Sequence, residues 1–382
     1  MMTATETPKM QGAIADDVRT GTLYRNPDAH VKSIHAYWPS VVNLGGGHLM
    51  AVYTLGEAFE SVNLRVHLAD SRDNGETWKT LGQPAPLPDT QLTSESGRLS
   101  LASDGELILL LVRHDRSAHP ELGLAEPNHF GFVPMKFCIC RSRDKGRTWT
   151  APEDVVAPLV GPEFEMCSPI TPLRDGRWLL PTSTWRGWDG KLPNGNQMCA
   201  LISSDKGRTW PTYTSVMRDP EDHVRYWESK IHERPDGSLL AIAWAYDEHA
   251  KMDLPNHFAI SRDAGKTWTQ PYSTGLHGQT LTAAVLPDGR VLSAYRRMDR
   301  PGLWLNLSRI EGDKWINQAE QPLWGHEGFI TGLGETLAKR FQTLRFGAPC
   351  VTPLEKGEFF VSFWCYEDCV SMNRWFKFTL RG

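Results

Sequence analysis

Six stretches of the chain share one pattern, in which an apolar run is followed by a glycine turn and then by a second apolar run. An Asp-Gly pair between two runs of β-forming residues is a strong signal for a hairpin. The pattern therefore predicts six β-hairpins along the chain. They are "WPSVVNLGGGHLMAVY" from Trp38, "RLSLASDGELILLLVR" from Arg98, "SPITPLRDGRWLLPTST" from Ser168, "ESKIHERPDGSLLAIAWA" from Glu228, "LTAAVLPDGRVLSAYRR" from Leu281 and "GAPCVTPLEKGEFFVSFW" from Gly347.

A second repeat, eight residues long, follows the hairpins. The Asp side chain can accept hydrogen bonds from the backbone of its own turn, and the Gly can supply a residue with positive φ. Thr and Trp favour strands, and the Trp is large enough to pack between neighbouring sheets. The repeat therefore predicts a structural turn between a third and a fourth strand. Its copies are "SRDNGETW" from Ser71, "SRDKGRTW" from Ser142, "SSDKGRTW" from Ser203, "SRDAGKTW" from Ser261 and a degenerate "SRIEGDKW" from Ser308.

Repetition of a four-stranded unit predicts a β-propeller. The sixth unit ends at Gly382 without a fourth strand, and residues 19–26 ("RTGTLYRN") could fill that place and close the ring. We therefore predict an all-β fold, a six-bladed β-propeller of four-stranded antiparallel blades, over residues 19–382. Residues 1–18 are expected to be a tail outside the blades and could be disordered. A helical turn is expected only within residues 325–341.

Composition and charge narrow the choice of partners. The formal net charge is −4 and no long basic run occurs, which argues against nucleic acid or a membrane surface as the partner. The seven cysteines are scattered and odd in number, so we expect reduced thiols, no metal site and no cofactor. The N-terminus has no apolar signal region and no stretch reaches 18 apolar residues, so a cytoplasmic location is expected.

The four S-x-D-x-G-x-T-W boxes, spread over six units, closely resemble the Asp boxes of the sialidase (neuraminidase) superfamily. The resemblance covers the chain from residue 30 to the end. It implies a propeller of this type, but it says little about the reaction, because a fold does not determine a function. Members of the superfamily include sialidases, arabinan-cleaving exo-enzymes, polysaccharide lyases and binding proteins without activity.

Sialidases use an arginine triad to hold the substrate carboxylate, a Tyr nucleophile activated by a Glu, and an Asp as acid/base. In this resemblance "WES" keeps the Glu as Glu228, whereas "YWPS" places Tyr37 where the first Arg would stand. Trp244 and Ala348 stand at the positions of another Arg and of the Tyr nucleophile. The resemblance therefore implies that this chain is not an ordinary sialidase.

The superfamily builds its pocket from residues at the ends of the inner hairpin strands. The resemblance implies that Glu228 is a catalytic carboxylate. Glu165, just ahead of the third hairpin in the neighbouring unit, is the expected second carboxylate, although it could equally be a charge at the rim, and Glu95 is expected at the same mouth. Aromatic side chains there can stack on the apolar faces of a sugar, although packing between sheets is the alternative for each Trp. Arg296 and Arg297 are adjacent on a strand, so at most one of the two can face the pocket. The expected substrate-binding residues are His35, Tyr37, Trp38, Trp185, Arg186, Trp227, Trp244, His249, Arg296 and Arg297.

These residues favour a glycoside hydrolase that acts on a non-reducing-end sugar, with an arabinanase-like exo-glycosidase as the nearest analogue. Such an enzyme needs two carboxylates and can retain or invert the anomeric configuration. The alternatives are a carbohydrate-binding propeller without turnover, and a polysaccharide lyase in which Tyr37 or His249 would remove a proton next to a uronate. The expected partner is an oligosaccharide or glycoside, and the oligomeric state is left open.

Overall fold

The computed structural model describes residues 14–88, 90–161, 164–165, 168–328, 332, 334 and 337–381. Its strands form six antiparallel sheets with four main strands each, and the first strand of each sheet contacts the first strands of its neighbours around a common axis. The predicted six-bladed propeller is therefore confirmed. One short helix, α1 (Leu337–Gln342), precedes the sixth blade, at the end of the segment where a helical turn was predicted.

The chain begins with β1 (Ala15–Tyr24), which belongs to the sixth blade, and then builds the first three blades in order from the axis outward. The first blade consists of β2 (His35–Asn43), β3 (Leu49–Gly56), β4 (Arg65–Ser71) and β5 (Lys79–Gly82). The second consists of β6 (Thr93–Leu101), β7 (Leu107–Asp115), β8 (Met135–Ser142) and β9 (Glu153–Asp154). The third has a divided inner strand and consists of β10 (Phe164–Glu165), β11 (Thr171–Pro172), β12 (Trp178–Thr184), β13 (Gln197–Ser203) and β14 (Thr212–Arg218).

The remaining three blades repeat this arrangement. The fourth consists of β15 (Val224–Glu233), β16 (Leu239–Asp247), the short β17 (Met252–Asp253), β18 (His257–Ser261) and β19 (Tyr272–Ser273). The fifth consists of β20 (Gly278–Val285), β21 (Val291–Arg297), β22 (Leu303–Glu311) and β23 (Lys314–Trp324). The sixth consists of β24 (Phe346–Pro353), β25 (Glu358–Glu367) and β26 (Val370–Leu380), with β1 outside β26.

Pairing of β1 with β26 closes the ring, as the sequence predicted. The antiparallel register runs from Ala15 opposite Leu380 to Tyr24 opposite Asn373. The strand begins before the predicted boundary at residue 19, because these earlier residues also find partners on the last strand and its C-terminal extension. Residues 14–18 therefore belong to the sixth blade, and the rest of the predicted tail, residues 1–13, lies outside the described residues.

The octapeptide turn has the structure that its sequence predicts. Asp73 accepts hydrogen bonds from the backbone N–H of Thr77 (2.9 Å) and from its hydroxyl (2.6 Å), and Gly75 has a φ of 87°. The Trp78 ring packs 5.8 Å from the Phe360 ring in the neighbouring sixth blade. Equivalent Asp-to-Thr bonds occur at Asp144, Asp205 and Asp263. These four aspartates therefore stabilise turns and blade contacts.

Hydroxyl groups near the axis join the inner strands of adjacent blades. Each bond crosses from one blade to the next, so it stabilises the ring in addition to the apolar clusters packed between the sheets. The bonds are Leu99 N to Ser40 Oγ (3.1 Å), Ser100 Oγ to Ile170 O (2.5 Å), Thr171 Oγ1 to Ile231 O (3.0 Å) and Thr352 Oγ1 to Val41 O (2.8 Å). They use up hydroxyls that would otherwise be free to bind a ligand on the axis.

Removal of residues 1–24 should destabilise the whole propeller, because it leaves β26 as an unpaired edge. We expect the free energy of unfolding to fall on the order of several kcal/mol, and the protein to aggregate more readily. Removal of residues 1–13 keeps β1 and is the matched control. Thermal unfolding of the three proteins, followed by circular dichroism, would contradict the closure if all three melted together.

Candidate functional site

Four of the six inner strands carry a β-bulge at the same level of the axis. The bulged residues have positive φ values, which cost a non-glycine residue about 1–3 kcal/mol and are concentrated at functional sites. All four side chains line a cavity on the axis. The bulged residues are Trp38 (φ 52°), Glu228 (φ 50°), Thr280 (φ 55°) and Ala348 (φ 46°).

This cavity, the upper cavity, lies where the inner strands begin and has a volume of about 120 Å³. Most of its wall is aromatic, and six ionisable side chains line the same space. The aromatic residues are Trp38, Phe59, Phe132, Trp185, Trp227, Trp244, Phe341 and Trp364. The ionisable residues are Glu60, Arg98, His114, Glu165, Glu228 and Arg296.

Glu228 is the carboxyl group that the fold holds at the bulge on the axis. One of its oxygens accepts a hydrogen bond from the backbone N–H of Thr280, and Oε2 has no hydrogen-bond partner among the described residues. Burial raises the pKa of this carboxyl, and the positive charges of Lys230, Arg296 and Arg98 oppose the rise only in part. Glu228 therefore keeps its proton to a higher pH than an exposed glutamate does.

Two further glutamates reach the upper cavity. Glu165 is buried at the end of β10, opposite Ser183 of β12, as the sequence analysis expected for a residue ahead of the third hairpin. Glu60 comes from the loop after β3, and its Oε2 accepts a hydrogen bond from the backbone N–H of Leu124 (3.1 Å). Burial raises the pKa of Glu60, against the lowering effect of that bond and of Arg116. Sequence reasoning missed Glu60 because it considered only the ends of inner strands.

Arginines from the second and fifth blades bring positive charge to the cavity. Arg296 donates hydrogen bonds to the carbonyl oxygen of Phe346 (2.9 Å) and to Oε1 of Gln279 (2.6 Å). Arg98 donates to the carbonyl oxygens of Gly97 (2.9 Å) and Trp38 (3.3 Å). Their polar tips are thereby fixed at the cavity wall, which suits recognition of hydroxyl or carboxylate oxygens.

Arg98 was also missed, because Glu95 was expected to represent the second blade. Side chains alternate along a strand, and Ser96 and Arg98 line the cavity while Glu95 faces away from it. Oε1 of Glu95 accepts a hydrogen bond from Nε of Arg113 (3.0 Å). The expected position of Glu95 at the mouth is therefore wrong. Arg98 is the one cation of its inner strand, and that was the signal that could have identified it.

The tryptophans of the third and fourth blades form one rigid wall. The Trp185 and Trp227 rings stack with their centroids 5.0 Å apart, and Trp244 meets Trp227 edge-on at 4.5 Å. Nε1 of Trp244 donates to Oδ1 of Asp253 (2.8 Å), and the guanidinium of Arg225 lies 4.9 Å from the Trp227 ring centroid on the other side. These contacts fix the rings, which are almost fully buried and form the packed wall behind the cavity.

Two predicted residues of the first blade lie behind the wall of the upper cavity. Nδ1 of His35 accepts the backbone N–H of Ser371 (2.9 Å). Tyr37 is buried, with its hydroxyl hydrogen-bonded to Ser371 and its ring packed edge-on against Trp364 (5.3 Å). The structure does not bring either of them to the cavity, because their side chains point to the junction with the sixth blade.

Three other predicted residues are held elsewhere by charge or stacking. Nη2 of Arg186 lies 3.8 Å from Oε2 of Glu248, and the His249 ring stacks at 3.7 Å on His223. Arg297 points outward and donates to Asp299 (2.6 Å) and to Glu320 (2.6 Å). Arg296, its neighbour on β21, is thus the one of the pair that faces the cavity, as strand alternation requires.

A second cavity continues along the axis below the first. This lower cavity has a volume of about 600 Å³, and its wall extends to the exposed Leu101 and Pro353 at the opposite face of the ring. The two cavities share four lining residues, which we call the waist: Arg98, Glu228, Thr280 and Ala348. Glu228 therefore stands at the junction of two spaces.

The described part of the chain contains neither a metal-binding cluster nor a membrane-spanning helix. Among those residues, no group of three or more His, Cys, Asp or Glu side chains is arranged to hold a metal ion. The same residues include no helix that is long and apolar enough to cross a membrane.

Six blades, four of them with Asp-box turns, and a cavity on the axis define a propeller of the sialidase superfamily. The profile of the BNR repeat-like domain matches residues 125–320, and the chain belongs to this family. A sialidase of Bacteroides fragilis (strain YCH46) is 24% identical over 260 residues, which are 62% of this chain and 43% of that protein. The chain thus matches less than half the length of this relative.

Solved structures share the same fold at low sequence identity. A protein of unknown function from Dyadobacter fermentans DSM 18053 superposes with a TM-score of 0.71 at 22% identity, over 95% of this chain and 99% of that one. The intramolecular trans-sialidase of Ruminococcus gnavus, in complex with oseltamivir carboxylate, has a TM-score of 0.63 at 15% identity, over 96% and 98% of the two chains. These likenesses support the propeller fold and leave the reaction to the site.

Glu228→Gln should stabilise the protein increasingly as pH rises. A carboxyl whose pKa is raised in the folded state contributes most to the free energy of unfolding below its unfolded pKa. That contribution is lost as the pH rises through the folded pKa. Gln stays neutral, and each unit of pKa elevation is worth about 1.4 kcal/mol. We expect the advantage in unfolding free energy, measured by urea denaturation, to be larger at pH 8 than at pH 5. The exposed Glu311→Gln is the control, and an advantage that shrinks with pH would contradict the assignment.

Proposed function

We propose that this propeller is a glycoside hydrolase that acts on a non-reducing-end sugar in the upper cavity, with Glu228 and Glu165 as its carboxylate pair. The observation that carries the proposal is the Glu228 carboxyl, which lies on the axis at a bulge with positive φ, has an oxygen without a hydrogen-bond partner among the described residues, and lines the upper cavity together with five tryptophans. The kinship with proteins named sialidase and trans-sialidase supports a sugar as substrate.

The chemistry requires one carboxyl that is protonated at working pH and one that is ionised. Glu228 suits the acid, because burial raises its pKa and lets it give a proton to the leaving oxygen. Glu165, from the adjacent third blade, is its proposed partner, as nucleophile in a retaining mechanism or as base in an inverting one. Glu60 is a third carboxyl at the same cavity and could assist either of them.

The sugar would lie against the tryptophan wall. The half-buried Trp38 presents apolar ring surface to the cavity, whereas the Trp227 and Trp244 side chains are almost fully buried in its wall. Arg98 and Arg296 offer donors to hydroxyl oxygens. His114 also lines the cavity, and burial together with Arg116 lowers its pKa to about 4, so its ring is neutral at neutral pH. The polar groups are few and fixed, as in a site that selects one orientation of a small ligand.

A carbohydrate-binding propeller without turnover is the second candidate. The observation in its favour is Ala348, which lines the upper cavity at the position where the resemblance places the tyrosine nucleophile, so that catalytic group is missing there. The lyase alternative has less support, because its proposed bases, Tyr37 and His249, both lie outside the upper cavity.

Glu228→Gln and Glu165→Gln should each abolish most of the activity. Gln is nearly isosteric but can neither hold nor release the proton, so we expect kcat to fall about a thousandfold, or about 4 kcal/mol of barrier. A panel of oligosaccharides assayed for new reducing ends identifies the substrate, and Glu311→Gln serves as the exposed control. Near-normal rates in both folded variants would eliminate the two-carboxylate mechanism, and binding without product would favour the second candidate.

Hydrolysis of an ordinary sialoside should be negligible. The resemblance places Tyr37, Trp244 and Ala348 at positions where sialidases have two arginines and the tyrosine nucleophile, and Tyr37 is buried behind the cavity wall. We expect a fluorogenic sialoside to release no more product than with Glu228→Gln. Turnover comparable to that of an authentic sialidase would show that these three positions are wrongly assigned.

A further inference from the structure

We propose that the lower cavity is a water channel, which delivers water to Glu228 from the face of the propeller opposite the substrate. The inference rests on the proposed function for the use of that water, but the channel itself is a property of the structure that can be tested without a substrate. It assigns a role to the larger of the two axial spaces, which the binding of a sugar in the upper cavity leaves unexplained.

Unpartnered polar atoms mark the path of the water. Oε2 of Glu228 and Oγ1 of Thr280 at the waist, and Nε2 of His232 further down, have no hydrogen-bond partner among the described residues. All three residues line the lower cavity. Buried polar groups in proteins are almost always hydrogen-bonded to protein or to ordered water. These three atoms have almost no accessible surface, so water in the lower cavity binds them only after small shifts of the side chains around them.

The lower cavity has room for this water, and several of its polar side chains are already hydrogen-bonded to protein. Its volume of about 600 Å³ would hold on the order of ten or more water molecules. Ser100, Thr171 and Thr352 donate their hydroxyls to neighbouring inner strands, and Nζ of Lys230 donates to the Glu228 carbonyl oxygen (2.8 Å). Burial lowers the pKa of His232 to about 4, so this side chain is neutral. Arg98, Glu228 and Glu233 also line this wall, and polar and charged groups of this kind suit water.

The upper cavity is a poor route for water while a sugar is bound. Its wall consists largely of aromatic rings, and Phe341 and Leu344, from α1 and the residues after it, complete the wall. A sugar bound in the upper cavity would occupy the remaining space. The waist is then the path by which water can still reach the Glu228 carboxyl.

The delivered water fits a retaining mechanism. After Glu228 has given its proton to the leaving oxygen, its carboxylate can take a proton from a water molecule in the channel. The water oxygen forms the new bond to the anomeric carbon while the bond from that carbon to Glu165 breaks, so Glu165 leaves as a carboxylate and Glu228 is reprotonated. No further reactant is needed.

Cys350 provides the test, because its thiol lines the lower cavity and does not line the upper one. Methyl methanethiosulfonate, which adds a small S-methylthio group, is applied to the full-length folded protein in a Cys369→Ser background, because Cys369 is the exposed thiol among the cysteines that the structure describes. We expect peptide mass mapping to find Cys350 modified without denaturant, and reduction to reverse the modification. Failure of Cys350 to react in the folded protein would overturn the open channel.

The modified protein should bind substrate as before but hydrolyse it about tenfold more slowly, with kcat reduced and KM little changed. Transfer of the sugar from Glu165 to an added disaccharide, which would enter through the upper cavity as the substrate does, should increase relative to hydrolysis. Cys350→Ala treated in the same way is the matched control and should keep its rate. Unchanged partition between hydrolysis and transfer in the modified protein would overturn the delivery of water.

Thr282 offers a second way to fill the channel should the modified Cys350 unfold the ring. Thr282 lines only the lower cavity, so Thr282→Leu should narrow it and Thr282→Val should not. We expect the same tenfold loss of kcat in the Leu variant alone, and equal rates in both variants would overturn the proposal. If Cys350 reacts but no glycoside is cleaved by the unmodified protein, the proposed function fails while the open channel stands.

Discussion

The pairing of β1 with β26 is the contact on which the rest of the structure depends. A propeller is held together mainly by contacts between neighbouring blades, so an open ring would expose one face of the first blade and one face of the last. The N-terminal strand joins the two ends of the chain in a single sheet, with Ala15 opposite Leu380. Once the ring is closed, the six inner strands are forced to face one another around the axis.

The site follows from this closure and from local departures from regular strands. Bulges at the same level of four inner strands turn the side chains of Trp38, Glu228, Thr280 and Ala348 toward the axis. In a regular strand the side chains alternate between the two faces, so two consecutive residues such as Trp227 and Glu228 could not both line the cavity. The closed ring can sustain the backbone strain at these positions because contacts on both sides of each blade fix the strand. A carboxyl group is thereby buried without a full set of partners, and its pKa rises.

Local signals predicted the blades well because each repeat carries its own information. The Asp73 turn depends on residues within eight positions of one another, and the hairpins depend on glycine turns between apolar runs. The closing strand was also predictable, because a missing fourth strand must be supplied from elsewhere. The start of β1 was placed too late, since its first residues carry no β pattern of their own and pair because the C-terminal strand extends alongside them.

The site was only partly predictable, because it depends on which face of each strand meets the axis. The predicted residues that line the cavity include Glu228, Glu165 and four tryptophans. In the second blade, Glu95 was predicted instead of Arg98, which lies three residues further along the same strand and on its opposite face. Glu60 comes from a loop, and no periodicity marks it. The other predicted residues lie near the ends of the correct strands but do not line the cavity. His35 and Tyr37 contact Ser371 of the sixth blade, Arg186 and Arg297 form ion pairs, and His249 stacks on His223.

The central claim is that Glu228 is a desolvated carboxyl that keeps its proton on the axis. A ¹³C NMR titration of protein labelled at the glutamate carboxyl carbons, compared with the same titration of Glu228→Gln, tests it most directly. The account predicts that the signal missing from the variant titrates well above the ordinary glutamate range. A signal for Glu228 that titrates within or below that range would contradict the account, because the residue would then be ionised at the pH at which an acid is required.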